Sequence, residues 1–147
     1  MRALVQRVSS AAVRVEGRER ARIGAGMLVL VGVGRGDGRP EAERLAAKLA
    51  KLRIFDDAAG RPNEPLGDRE ILCVSQFTLY ADTRRGNRPG YGEAADPSLA
   101  EPLYERVCEL LGAERGVFGA RMEVESVNDG PLTLMIEVEP PGPVRGS

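Results

Sequence analysis

Histidine is absent from this 147-residue chain, and the omission excludes more chemistry than any residue present supplies. Ser-His-Asp and Cys-His catalysis both need an imidazole to carry the proton. A zinc site would have to combine Cys73 and Cys108, far apart in sequence, with carboxylates, a poor match to known ligand sets. The expected activity therefore uses no metal and no cofactor. Tryptophan is also missing and aromatic residues make up only 4%, so the core must be aliphatic. The two cysteines lie in apolar contexts and read as small core residues, not as a disulfide framework. No apolar run approaches the ~20 residues of a membrane span. The opening Met-Arg-Ala-Leu-Val-Gln-Arg lacks the apolar region of a signal peptide, so the expected location is cytoplasmic and no membrane partner is expected. With a net charge of -1, the whole molecule has no strong attraction to a polyanion.

What is present suits one globular domain. Hydrophobic residues make up 42% and charged residues 29%, and the length encloses a single core. Arg2 to Val8 and Ala11 to Glu16 alternate as two strands around Ser9-Ser10, and Gly17 turns the chain into a third strand near Arg18 to Ile23. Met27 to Val33 is a glycine-bounded apolar run, predicted as a buried central strand. The glycines of Gly32-Val33-Gly34-Arg35-Gly36-Asp37-Gly38 fit neither a dinucleotide fingerprint nor a P-loop, since Asp37 stands where the fingerprint needs glycine and no Gly-Lys-Ser/Thr follows. Pro40 opens a helix with Leu45, Ala46, Leu49 and Leu52 on one face. Arg53 to Phe55 reads as a short strand, and Asp56-Asp57 belongs to an ordinary turn more readily than to a cation site.

From Ile71 an apolar run of strand-forming residues changes abruptly to Ser75-Gln76-Phe77-Thr78 and then to a basic, Gly/Pro-punctuated loop carrying Arg84, Arg85 and Arg88. Asp96-Pro97 signals a helix start, although Pro102 places the regular helix from that residue, and Gly112 ends it. Val117 to Val127 and Leu132 to Val138 are read as two strands around the polar turn Asn128-Asp129-Gly130-Pro131. The prediction is an α+β fold: a mostly antiparallel, barrel-like sheet with two main helices, covered on one side. It forms a single domain over residues 1–138, with a flexible tail over 139–147.

Two polar segments at strand ends, Ser75 to Thr78 and Asn128 to Thr133, carry what candidate chemistry there is. Ser75 and Thr78 offer hydroxyls with no adjacent base visible in sequence, which leaves main-chain electrostatics or a group on the substrate to do the work. The arginines between Arg2 and Arg22, and those of the central loop, either hold phosphates or form a solvated surface.

These residues resemble the D-aminoacyl-tRNA deacylases of the D-tyrosyl type. The opening Met-Arg-Ala-Leu-Val-Gln-Arg-Val, the block Ser75-Gln76-Phe77-Thr78-Leu79-Tyr80-Ala81-Asp82-Thr83 with Arg84 and Arg88-Pro89, the run Gly116 to Ala120 with Met122, and Asn128-Asp129-Gly130-Pro131 with Thr133 match in type, order and spacing across Met1 to Val138. The resemblance implies hydrolysis of the ester between a D-amino acid and the terminal ribose of tRNA. It implies a homodimer in which a cis Gly130-Pro131 pair of one subunit enters the pocket of the other and excludes L side chains, while glycine esters fit. Ser75, Gln76, Phe77 and Thr78 are implied as the catalytic pocket, with main-chain N–H groups near Phe77 and Thr78 polarising the ester carbonyl. Arg7 is implied to brace the Gly-Pro turn, Phe118 and Met122 to line the pocket for the terminal adenine at the tRNA 3′ end, and the ribose 2′-hydroxyl to help position water. Gly90-Tyr91 stands where such proteins often have Ser-Phe, Leu132 replaces a common Val, and the Asn63 to Glu70 segment looks shortened. Two other outcomes stay open: the same scaffold with a trans Gly-Pro acting on L-aminoacyl esters, and a non-catalytic nucleic-acid-binding dimer.

Overall fold

The computed structural model describes residues 1–142. In chain order its elements are β1 (Arg2–Val15), β2 (Arg18–Ile23), β3 (Gly26–Gly32), α1 (Arg39–Lys51), β4 (Phe55–Asp56), β5 (Pro62–Glu64), β6 (Glu70–Ser75), a 3-10 turn (Phe77–Tyr80), α2 (Pro97–Leu111), β7 (Glu114–Arg115) and β8 (Glu123–Glu137). The two strands expected before Gly17 are one. β1 runs through Ser9-Ser10, and the break read there appears instead as register shifts between Gln6 and Val8 and between Val8 and Ser10 in its pairing with β8. Such an irregularity bends a strand without ending it. Glu16 and Gly17, both at positive φ, then reverse the chain so that β2 and β3 together form the antiparallel return of a long hairpin.

β8 covers the other edge of β1 over most of its length. The two strands expected around residues 117–127 and 132–138 are therefore also one, and residues 117–122 lie before it, outside any strand. The Asn-Asp-Gly-Pro turn does not reverse the chain: Asn128 Oδ1 accepts the Leu132 N–H at 3.1 Å, closing a local bulge while pairing with β1 resumes on both sides. Beyond β3, α1 supplies the crossover that lets β6 pair parallel to β3, and β7 then adds parallel to β6. The sheet is thus mixed and nearly closes into a barrel.

Closure changes the expected layering. Along β6, Ile71 and Cys73 join the core under the helices, with Leu45, Leu49, Tyr104 and Val107. Leu72 and Val74 point the other way, into a second core with Val8, Val13, Ile23 and Leu28. Strand alternation sends neighbours to opposite faces, and a curled sheet buries its inner face against itself. Both faces are covered, not one.

α2 starts at Pro97, five residues before the expected Pro102. The Asp96 carbonyl accepts from the Leu99 and Ala100 N–H groups at 3.0 and 2.9 Å, so the first turn forms before Pro102 withholds its one bond. Gly112, at φ 59°, ends the helix in the left-handed region. Of the expected tail, Glu139 is tied back, its carbonyl accepting from Arg44 Nη2 at 2.7 Å; residues 143–147 lie outside the described residues.

Candidate functional site

β3 and β6 run parallel and finish side by side, and a cavity of about 570 Å³ opens beyond their carboxyl ends. This is where open parallel strands commonly leave room for a ligand. One wall is Ser75, Gln76 and Phe77; the facing wall is Phe118, Gly119, Ala120 and Met122. The floor comes from Val31, Val33 and Val74, and the first turn of α2 closes the side with Asp96, Pro97 and Ala100. The lining is largely apolar, with few side-chain polar groups.

The polar wall is rigid because the strand ends into a 3-10 turn. Gln76 N–H donates to the Val31 carbonyl at 2.8 Å, the last tie to β3, and Leu79 N–H donates to the Gln76 carbonyl at 3.3 Å. Phe77 and Thr78 open that turn, so their N–H groups have no preceding carbonyl within it to bond. Arg2 secures the turn from behind: its Nη1 donates to the Leu79 carbonyl at 2.8 Å and its guanidinium lies 4.4 Å from the centre of the Tyr80 ring. Burial, followed by the Asp37 carboxylate, pushes the Tyr80 phenol well up, so it stays neutral. A Cβ on Gly34 would stand 2.6 Å from the Tyr80 ring, so glycine is needed for this close approach. Within the motif, Gln76 Nε2 donates to Thr78 Oγ1 at 2.5 Å.

Of the residues singled out from sequence, Ser75, Gln76, Phe77, Phe118 and Met122 line the cavity. Thr78 sits one residue beyond the lining. Arg7, Gly130 and Pro131 do not line it. Arg7 is buried beneath the β8 bulge, donating from Nε to the Asp129 carbonyl at 3.0 Å and from Nη1 to the Ile54 carbonyl at 2.8 Å and Asp56 Oδ1 at 3.1 Å. Asp56 therefore faces an arginine, and Asp57 Oδ1 accepts from the Ala59 and Arg61 N–H groups, so the paired carboxylates are turn residues. The Gly130-Pro131 peptide is cis and both residues are exposed. Among the described residues no three His, Cys, Asp or Glu side chains gather as metal ligands.

Sequence reasoning missed Arg35, Tyr91, Asp96 and Ala100 as lining residues. The Asp96-Pro97 signal located the helix start, yet nothing in the pattern showed that this start faces the end of β3; the Ala95 N–H to Val33 carbonyl bond at 3.0 Å puts it there. Most arginines of the opening segment are engaged: Arg2 pairs with Glu137, Arg14 with Glu125 and Arg22 with Glu19, while Arg7 is internal; Arg18 and Arg20 are exposed.

The family model described as D-Tyr-tRNA(Tyr) deacylase matches residues 4–137. A protein of Anaeromyxobacter dehalogenans named D-aminoacyl-tRNA deacylase is 53% identical over 144 residues, 93% of this chain and 97% of that one. One of the same name from Paracoccus denitrificans is 54% identical over 144 residues with the same coverage of each. Among solved structures, the c-Myc DNA unwinding element binding protein superposes with a TM-score of 0.88 at 37% identity, covering 95% of this chain and all of that one, 100%. A probable eukaryotic D-amino acid tRNA deacylase superposes at 0.78 with 18% identity, covering 93% and 98%, a likeness of fold.

Proposed function

This chain belongs to the D-Tyr-tRNA(Tyr) deacylase family, and we propose that it is a hydrolase that releases free D-amino acid and tRNA from D-aminoacyl-tRNA. The observation that carries the proposal is the cavity wall of Ser75, Gln76 and Phe77, where the strand passes into a 3-10 turn whose opening N–H groups, at Phe77 and Thr78, have no partner within the turn, beside a pocket lined mainly by apolar residues. A carbonyl oxygen seated against the Phe77 and Thr78 N–H groups gains negative charge as water adds to its carbon, and preorganised donors in a dry site stabilise that charge most. The C–O bond to the ribose then breaks and the ribose 3′ oxygen takes up the proton the water gives up, with the 2′-hydroxyl positioned to hold that water. Phe118 and Met122, opposite, suit an adenine base between apolar surfaces.

Chirality selection is assigned to the Gly130-Pro131 main chain of a second copy entering this cavity. Two features favour it: the pair is exposed and away from its own chain's cavity, and among the described residues β8 pairs along only one edge, with Val127, Leu134 and Met135 exposed. A filter built from backbone excludes a side chain of the wrong hand without gripping the right one, so many D-amino acids and glycine enter.

Deacylation of D-Tyr-tRNA and L-Tyr-tRNA by the purified protein tests this. Turnover of the D ester alone is expected, unchanged by a chelator, with a dimer in sedimentation. Preference for the L ester selects the rival activity. No turnover of either supports a nucleic-acid-binding module, the reading that the name of the 0.88-scoring structural neighbour favours.

A further inference from the structure

At the mouth of the cavity, Phe77 and Tyr91 stand edge to face with ring centres 5.0 Å apart. Neither is covered: Phe77 is 55% and Tyr91 41% exposed, an unusual place for two of the chain's few aromatic rings. Between them the chain makes a closed loop. Asp82 and Gly90 exchange both main-chain hydrogen bonds, at 2.7 and 2.8 Å, so residues 83–89 project from a fixed base next to the cavity. Three arginines sit on this loop, and they are not equivalent. Arg84 is turned back on Asp82, with Nε and Nη2 donating to the two carboxylate oxygens at 2.9 and 2.8 Å. Arg85 and Arg88 are exposed and, among the described residues, have no carboxylate within ion-pair distance. Arg35, also exposed and equally without an acidic partner, lines the cavity on the side where its N–H bonds the Glu93 carbonyl at 2.9 Å.

Exposed aromatic faces beside unpaired cations are the two parts of a surface for single-stranded nucleic acid: bases stack on rings and phosphates meet the cations. We propose that Tyr91, Arg85 and Arg88 form a track for the unpaired nucleotides that precede the terminal adenosine of the tRNA substrate. Tyr91 stacks the nearest base, and the two loop arginines hold phosphates further out. In a protein whose net charge is -1, attraction to RNA has to come from such a local feature, and the loop supplies it next to the cavity, where the strand must emerge. The Arg84–Asp82 pair keeps the loop in shape and leaves the other two cations outward.

The inference rests on the deacylase reading, and the experiment separates the two. D-Tyr-tRNA and D-tyrosyl-adenosine, which has no phosphate, serve as substrates for wild type and the Arg85→Ala/Arg88→Ala variant. The variant is expected to raise KM for D-Tyr-tRNA about tenfold, leave kcat and the adenosine ester unaffected, and flatten the salt dependence of kcat/KM by a slope of about 1.4, at roughly 0.7 per phosphate contact on a single strand. Tyr91→Leu is expected to weaken the tRNA substrate about 5- to 150-fold, with Tyr91→Phe restoring it; rescue by Leu as well would mean plain apolar packing. An unchanged KM and salt slope in the double arginine variant overturns the track. If wild type hydrolyses neither ester, the deacylase reading fails first. Fluorescence anisotropy with a single-stranded RNA ending in CCA then decides the track alone: tighter binding by wild type upholds it, equal binding overturns it.

Discussion

Gln76 Nε2 donates to Thr78 Oγ1 across 2.5 Å, so the only hydroxyl in the motif's second half is engaged by the motif's own amide. Thr78 lies outside the cavity lining while Gln76 lies within it. The bond therefore fixes the amide at the wall, and in the proposed reaction Thr78 acts as a positioning residue for the turn that carries the Phe77 and Thr78 N–H groups.

Thr78→Ala is expected to lower kcat for D-Tyr-tRNA by about two- to tenfold, the weight of one neutral hydrogen bond, with KM little changed. Single-turnover hydrolysis measures it. A loss of several orders of magnitude with binding intact would make Thr78 the nucleophile instead.

Arg7 satisfies the Asp129 and Ile54 carbonyls from a buried position. Arg7→Met removes the donors and leaves both carbonyls wanting, at an expected cost of about 2–3 kcal/mol, read by urea unfolding. Because the Asp129 contact lies directly before Gly130-Pro131, activity at a denaturant-free, fully folded concentration should fall as well. Unfolding at the wild-type midpoint would disprove the bracing role.

A Cβ at Gly26 would come within 1.8 Å of the Glu70 carbonyl oxygen, where β3 and β6 begin their parallel pairing. Gly26→Ala must push two strands apart, and a backbone clash has no rotamer to relieve it. The expected destabilisation is about 3 kcal/mol, the upper part of the usual range for overpacking, seen as a lower melting temperature. Gly17→Ala, with nothing within 4 Å of the new carbon, should cost only its positive-φ strain of about 1 kcal/mol.

Side-chain hydrogen bonding from Arg84, then the Arg84 main-chain N–H, lowers the Asp82 carboxyl to about 2. A depressed folded value means the contact stabilises the loop above the ordinary carboxylate pKa and is lost as pH falls through about 2. Carbon-detected NMR titration of Asp82 should give a midpoint near that value, and Arg84→Ala should return it toward about 3.9. A wild-type midpoint already at the ordinary value would show that the pair does not hold the loop.

Cys73 and Cys108 are both buried, and the neighbouring Cys108 thiol, then burial, raises the Cys73 thiol well above its ordinary range. The same contact lowers the Cys108 thiol, but neither side chain reaches solvent, so neither should react with a thiol reagent until the protein unfolds. Reaction in the native state at the rate of a free thiol would contradict the packing.

Much of this molecule is determined by its residue pattern alone. The absence of histidine ruled out imidazole catalysis. Alternation and helical spacing placed β2, β3, β6 and α1 close to their observed bounds, because those segments bury a face set by local periodicity. Ser75, Gln76 and Phe77 of one sequence motif, and Phe118 and Met122 of another, form two facing walls of the cavity. Only the tertiary structure decided the rest. Ser9-Ser10 and Asn128 to Pro131 look like chain reversals, since polar and glycine residues break a pattern whether the chain turns or merely bulges; pairing between β1 and β8 chose the bulge. The sheet's second core at Val8, Leu28 and Val74 exists because the sheet curls, a property of strand pairing over the whole chain. Tyr91, Arg35 and the start of α2 reached the cavity for the same reason: they are brought there by hydrogen bonds between residues far apart in sequence, which no local spacing encodes.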